Sequence, residues 1–419
     1  AVLARPAAAV LYRAVRSILY LGRHGVHFAQ DNRMKPLTGA WIENTATQAV
    51  FVVLNAPGHV CYFVGGCVRN ALLEAPVSDI DLATNARPKT VIALCQKAGL
   101  KVIPTGIDHG TVTVVSEGMA HEVTSFRRDV DTDGRRAVVA FSDDMAEDAR
   151  RRDFTMNALY ATSQGQVLDP LNGLCDLQAG RIRFIEDASR RIQEDYLRIL
   201  RFFRFCAIYG DPAAGFDAEA LAAIAAHLDG LASLSRERVG SEMRKLLAAD
   251  DPAPSVATMR ATGVLRAILP LADERALAPL VHLEAERNTP PDPIRRLAVL
   301  CAHDVGAALR LSKKEARQHS ELVAALGTMQ GPAALAYHGG AARALDVLLL
   351  RAALFETPFD SAIPAQIAQG AAAVCPVKSA DLIPFFQGAA LGKALGDCQA
   401  RWIASDFKLT RQALLTGVQ

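Results

Sequence analysis

Several features that would classify a chain at a glance are missing. None of the eight cysteines (61, 67, 95, 175, 206, 301, 375 and 398) forms a C-x-x-C pair, and several sit inside apolar runs. They read as buried reduced thiols of a cytoplasmic protein, not as zinc ligands or a disulfide frame. The apolar stretches are short and interrupted, so no membrane span is indicated, since one needs about 20 continuous apolar residues. Charge excess is missing too, with 46 Lys and Arg against 44 Asp and Glu and a formal net charge of +2. Whole-chain electrostatics therefore do not announce a nucleic-acid partner, and any such surface has to come from local segregation of charge. No internal repeat is visible either. What remains is a chain of 419 residues, long enough for about two to four domains and a large buried core.

The first 33 residues carry five arginines and a single acid, Asp31. They read as an extension with no part in the chemistry, a loosely docked amphipathic helix being the alternative. Residues 37–56 suit one amphipathic helix closed by Pro57 and Gly58.

The stretch that organises the rest is 62–84, YFVGGCVRNALLEAPVSDIDLAT. It reads as strand, glycine turn, helix, loop and strand. Gly65 and Gly66 let the backbone turn tightly and approach a ligand. The following helix start offers free N–H groups to phosphate, and Arg69 adds a guanidinium fork. Asp79 and Asp81 lie two residues apart, a spacing that on a strand points both carboxylates to one face while Ile80 and Leu82 enter the core. Two such carboxylates suit Mg²⁺, which keeps waters and borrows ligands from substrate phosphates. A phosphate cradle beside a divalent-metal site implies nucleotide chemistry. Glu122 begins a strand that can lie next to this one and supply a third carboxylate, although an ordinary strand-end Glu reads equally well.

Further on, 127–149 is polar and charged in both signs, reading as a long mobile loop or a plain solvated connection. Arg152 and Asp153, in RRRDFTMNAL, suit triphosphate oxygens and a sugar hydroxyl. Their bland alternative is mutual pairing. A last β run is expected at 181–185, and from Ile192 onward the chain is helical and rich in Ala and Leu. In EDYLRILRFFRF (194–205) steps of three place Asp195, Arg198, Arg201 and Arg204 on a spiral stripe of one helix. Adjacent Asp195 and Arg198 present the acceptor and forked donor that a base edge needs. The alternative is a plain Glu194–Arg198 ion pair. His109, in the turn before Thr111, reads as structural.

The set GGCVRN, DIDLAT, HGTVTV, HEVTSFRR, RRDFTMNAL, DPLNGLCDL and EDYLRILRFFRF, spanning about residues 60–206, closely resembles the class II tRNA nucleotidyltransferases, the bacterial CCA-adding enzymes. These belong to the DNA polymerase β type of nucleotidyltransferase. Bacterial poly(A) polymerases share most of the set and are the alternative. They carry a basic stretch where this chain has Pro104 to Asp108, which favours CCA addition, as does the full-length segment before RRDFT. Asn70 departs from the Asp usual after the Arg.

The resemblance implies an α/β, polymerase β-like head followed by an all-α neck, body and tail. The expected boundaries are 1–33 for the extension, 34–186 for the catalytic head, 187–248 for the neck and 249–419 for the body and tail. Asp79 and Asp81 would hold Mg²⁺, with Glu122 the candidate third carboxylate, while Gly65, Gly66 and Arg69 would hold the triphosphate. Arg152 would bind nucleotide phosphate and Asp153 the ribose. Asp195 and Arg198 would read the base of CTP or ATP, supported by Arg201 and Arg204. The implied partner is tRNA lacking part or all of its 3′ CCA, with no membrane and no stable protein partner.

Overall fold

The computed structural model describes residues 35–132 and 137–416. The expected extension at 1–33 lies outside them.

The head is built on β1 (Cys61–Val64), β2 (Asp81–Thr84), β3 (Lys101–Ile103), β4 (Thr111–Ser116), β5 (Met119–Ser125), β6 (Arg127–Thr132), β7 (Ala137–Phe141), β8 (Tyr160–Ala161) and β9 (Val167–Leu168). Seven of these form one twisted sheet in the order β3-β4-β5-β2-β1-β8-β9, and β6 and β7 pair separately. β2 runs parallel to β5, whereas β1 pairs antiparallel with both β2 and β8. The alternation in β4 buries Val112 and Val114 and turns the threonines outward, as a half-buried strand requires.

The early segment divides where a single helix was expected. Asn44 accepts from the N–H groups of Ala46 and Thr47 at 2.9 and 3.3 Å, separating α1 (Ala40–Glu43) from α2 (Thr45–Leu54). A side chain that caps well starts a new helix even inside an apolar-periodic run. α3 (Gly66–Leu72) follows the glycine turn, and α4 (Pro88–Lys97) opens on a proline at its first turn.

Two expectations are corrected here. The stretch 127–149 is not a loop: it forms the β6–β7 hairpin, with an irregularity between Asp129 and Asp131, and then α5 (Met145–Arg150). A charged strand, Arg127–Thr132, pairs with an apolar one, Ala137–Phe141, and the antiparallel ladder between them is what composition hides. The run at 181–185 is not a strand but an isolated bridge, Phe154 to Phe184, with Thr155 and Ile185 N–H donating to Arg183 and Asp153 carbonyls.

The head ends with α6 (Gly173–Gln178), and after it come α7 (Ala188–Glu194), α8 (Leu197–Tyr209), α9 (Ala218–Ala226) and α10 (Arg236–Leu247), and then helices through residue 415. The expected single helix over 194–205 breaks at Asp195, whose φ of −158° and ψ of 104° are extended. Asp195 then caps α8 by accepting from Leu197 N–H at 3.1 Å. One face of α8 buries Leu197, Ile199, Leu200, Phe202, Phe203 and Phe205. Phe154 of the head packs at a tilt against Phe184 and Phe205 at centroid distances of 5.0 and 4.9 Å, and Phe184 stacks with Phe202 at 5.7 Å. Such rings weld α8 to the head and turn its arginines back toward the sheet.

A second buried knot fixes the later helices. Glu284 pairs with Arg295 and Arg296 at 2.7 Å each, and Arg295 also reaches Asp346 at 2.7 Å. Arg296 donates to the carbonyls of Leu247 and Asp250 at 2.8 and 3.0 Å, closing the free C-terminal end of α10.

Candidate active site

A cleft of about 470 Å³ opens between the sheet and α8. It gathers Gly65, Gly66, Arg69, Asp81, Arg152, Asp153, Asp195, Arg198, Arg201 and Arg204, all singled out from the sequence. Arg151, Asn157, Phe205 and Arg238 complete its working surface.

Gly65 carries φ 71° at the strand-to-helix turn, a left-handed conformation that favours glycine. Its N–H is held by the Leu159 carbonyl at 3.0 Å, and a Cβ there would stand 3.6 Å from Arg152 Nη1. The glycine therefore keeps the wall open beside an arginine.

The two aspartates are not displayed on one strand face. β2 begins at Asp81, and Asp79 sits exposed in the segment before it, accepting from Ser78 Oγ at 3.1 Å. The ladder explains this. β5 pairs with β2 only from Asp81 onward, and β1 runs into the glycine turn, so residue 79 has no neighbour to pair with. Glu122, on the adjacent parallel strand, is in register with Asp81. Burial, with the charges of Glu122 and Asp79 adding and Arg152 opposing, pushes the Asp81 carboxyl up to about 6. This is a crowded set of carboxylates that a divalent cation would relieve. Among the described residues no group of three or more His, Cys, Asp or Glu side chains is placed to enclose an ion. A divalent cation at Asp81 would take few protein carboxylates and would have to fill its shell from water and phosphate.

Each arginine of the cleft except one is held by a carboxylate. Asp148, wholly buried on α5, takes Arg151 at 2.9 Å on one oxygen, and Arg152 and the Tyr160 hydroxyl at 2.8 Å on the other. Burial alone would raise the Asp148 pKa, but the two guanidinium charges hold it far below the usual carboxylate range. Asp153 takes Arg201 at 2.6 Å and the Asn157 amide at 2.8 Å. Burial opposes its ionisation, and Arg201 and Asn157 overcome that to hold it at about 2. Arg204 pairs with Glu242 of α10 at 2.6 Å. Arg201 and Arg204 also lie over the Phe205 ring, at 5.2 and 4.7 Å.

Asp195 and Arg198 do not pair with each other. Arg198 takes Glu194 at 2.6 Å and the carbonyls of Arg191 and Arg151 at 2.8 and 2.9 Å. The i,i+4 ion pair is therefore present, and it braces a residue that still lines the cleft. Asp195 takes Arg238 of α10 at 2.6 Å.

Sequence reasoning missed Asp148, Asn157, Tyr209, Arg238 and Glu242. Asp148 lies three and four residues before Arg151 and Arg152, a legible helical spacing that the loop reading concealed. Asn157 lies inside RRRDFTMNAL, four residues after Asp153, and Tyr209 ends the same helix as the arginine stripe, whereas Arg238 and Glu242 come from α10 and leave no local signal. DPLNGLCDL, outside the cleft, is structural: Asp169 accepts from Gly173 and Leu174 N–H at 2.8 and 2.9 Å, and Asp176 accepts from Thr155 Oγ1 at 2.7 Å.

The α/β head with an arginine-rich cleft against a helical neck defines a nucleotidyltransferase. Residues 61–183 match the family described as the poly A polymerase head domain, and 215–275 match the probable RNA and SrmB-binding site of polymerase A. The CCA-adding enzyme of Geobacillus thermodenitrificans is 36% identical over 326 residues, 73% of this chain and 77% of that one. The mitochondrial CCA tRNA nucleotidyltransferase 1 of Homo sapiens is 43% identical over 190 residues, 45% of this chain and 44% of its own. The Bacillus stearothermophilus CCA-adding enzyme in complex with CTP superposes with a TM-score of 0.68 at 29% identity, covering 89% of this chain and 94% of that one. The chain belongs to the CCA-adding enzyme family of nucleotidyltransferases. No helix among the described residues is long and apolar enough to cross a membrane.

Proposed function

We propose that this protein adds C, C and A to the 3′ end of tRNA from CTP and ATP, without a nucleic-acid template and with release of pyrophosphate. The observation that carries the reading is the single cleft joining the glycine turn, Asp81, Arg152, Asp153 and the α8 arginines. Relatives named as CCA-adding enzymes support the substrate. On this reading 34–186 is the catalytic head, 187–248 the neck that chooses the base, and 249–419 the body and tail that take the tRNA by shape and phosphate contacts.

The residues divide the work. Gly65, Gly66, Arg69 and Arg152 receive the triphosphate, with Arg152 fixed in direction by Asp148. Asp153, ionised and aimed by Arg201 and Asn157, accepts from the ribose. Asp195 and Arg198 read the base edge, Asp195 exchanging or sharing its Arg238 contact. Asp79 and Asp81, with Glu122 beside Asp81, would hold Mg²⁺, two ions in the full reading. When bound, Mg²⁺ lowers the pKa of the attacking 3′-hydroxyl and neutralises charge at the α-phosphate. The protein itself contributes position and fixed charge rather than covalent chemistry.

The test is incorporation of labelled CTP and ATP, separately and together, into a tRNA transcript lacking its CCA end, with Mg²⁺. Three nucleotides ending in A, then a stop, is the expected product. A long tail from ATP alone would replace the reading with poly(A) polymerase.

A further inference from the structure

Seven arginines line the cleft, and six of them are neutralised by a carboxylate partner described above. Arg69 is the exception. It is only 6% exposed, and the side-chain oxygens that hold it among the described residues are all uncharged. Asn157 Oδ1 accepts from Nη1, Asn70 Oδ1 accepts from Nε and Nη2 at 3.2 and 2.9 Å, and the Tyr209 hydroxyl accepts from Nη2 at 2.8 Å. The guanidinium also lies 4.1 Å from the Tyr209 ring centroid and 5.1 Å from that of Phe205. A buried cation whose hydrogen-bond partners are all neutral is electrostatically unfinished, and Arg69 lines the cleft, where an anion can reach it. Its lowered pKa has burial as its largest cause, in keeping with that isolation.

We propose that Asn70 is a positioning residue that sets anion affinity: its amide oxygen fixes the direction of Arg69 through two donors while leaving the Arg69 charge free for the substrate triphosphate. The assignment rests on the nucleotidyltransferase reading above. Its physical content is the difference between an amide and a carboxylate of the same shape. An amide oxygen orients the fork without cancelling its charge. A carboxylate at the same place would form a charge-assisted pair and compete with the incoming phosphate. Asn70 Nδ2 donates to the Pro76 carbonyl at 3.0 Å, which keeps the amide turned with its oxygen toward Arg69.

The test is titration calorimetry of the full chain with inorganic triphosphate, in EDTA so that only the protein's own cations act. Asn70→Asp preserves size and adds a charge while losing the donor to Pro76, and Asn70→Ala removes both the Pro76 contact and the oxygen that orients Arg69 without adding charge. Asn70→Asp is expected to weaken triphosphate binding about tenfold, and Asn70→Ala by less than about threefold. In the assay with Mg²⁺ the same order should appear in KM for CTP and ATP, with the KM for tRNA unchanged. Equal weakening by both variants, or unchanged or tighter binding by Asn70→Asp, overturns the proposal. A wild-type protein that binds triphosphate with this pattern yet extends no tRNA would sink the functional reading and leave this inference standing. One that extends tRNA but shows the same triphosphate affinity in all three forms would sink the inference alone.

Discussion

Replacing Asp81 by Asn should stabilise the metal-free protein at neutral pH while abolishing nucleotide incorporation. The Asp81 carboxyl is pushed from 3.8 to about 6, by burial first, then by Glu122 and Asp79 against the pull of Arg152. Its folded pKa lies above its unfolded one, so the folded chain holds the extra proton. The stability Asp81 contributes is fully present below about pH 4 and is lost as pH rises through about 6. A shift of about two units corresponds to about 3 kcal/mol, and partial exposure of the side chain reduces the expected cost at pH 7.5 to about 1–2 kcal/mol. The Asn side chain escapes that cost. Thermal unfolding in EDTA should show a midpoint about 1–2 °C higher for Asp81→Asn at pH 7.5, with the gain vanishing toward pH 4. Added Mg²⁺ should stabilise the wild type more than the variant. No gain at pH 7.5, or an equal gain at both pH values, would refute the view that Asp81 is held charged against its surroundings.

Asp148→Asn removes the charge that aims Arg151 and Arg152, and KM for CTP should rise about tenfold or more, with a smaller change in KM for tRNA, by steady-state kinetics. Glu284→Ala leaves buried Arg296 without a carboxylate and Arg295 with Asp346 alone; about 3–5 kcal/mol of stability should be lost in urea unfolding followed by circular dichroism. Gly173→Ala would place a Cβ 2.1 Å from the Thr155 carbonyl oxygen, so the segment carrying Asp153 has to shift, and a loss of about 1–3 kcal/mol together with lower activity is expected.

The parts of this protein legible in its sequence are those whose cause is local. A Gly-Gly turn before a helix requires positive φ whatever surrounds it, and Gly65 has it. The alternation of β4 and β5 follows from one buried face. The register of the carboxylates was not legible, because whether residue 79 belongs to a strand depends on where β5 begins to pair. β8 and β9, two residues each, are too short to carry a period. The hairpin at 127–141 was obscured by mixed-sign charge, although the apolar run Ala137–Phe141 was a fair signal for one of its strands. The arginine stripe on α8 was read correctly as a set and wrongly as a pairing. Asp195 and Arg198 are close in sequence, but the break at Asp195 sends their side chains to α10 and α7.

That divergence explains what the cleft does with so many arginines. A flexible arginine loses about 2 kcal/mol of rotamer entropy when a ligand immobilises it. Here the loss has been met in folding, because Asp148, Asp153, Glu194, Glu242 and Asp195 already fix Arg151, Arg152, Arg201, Arg198, Arg204 and Arg238. The same pairing motif in the body, Glu284 between Arg295 and Arg296, leaves every one of those groups buried and serves stability alone. What separates a site from a structural knot is therefore the face left over. In the cleft the paired arginines keep partial exposure, so each has a face that, on the proposed reading, would offer N–H donors in a fixed direction to a triphosphate. Pairing also lowers their net pull on anions, and on the proposed reading Arg69, with no carboxylate hydrogen-bonded to it, would then weigh more than its one charge among seven.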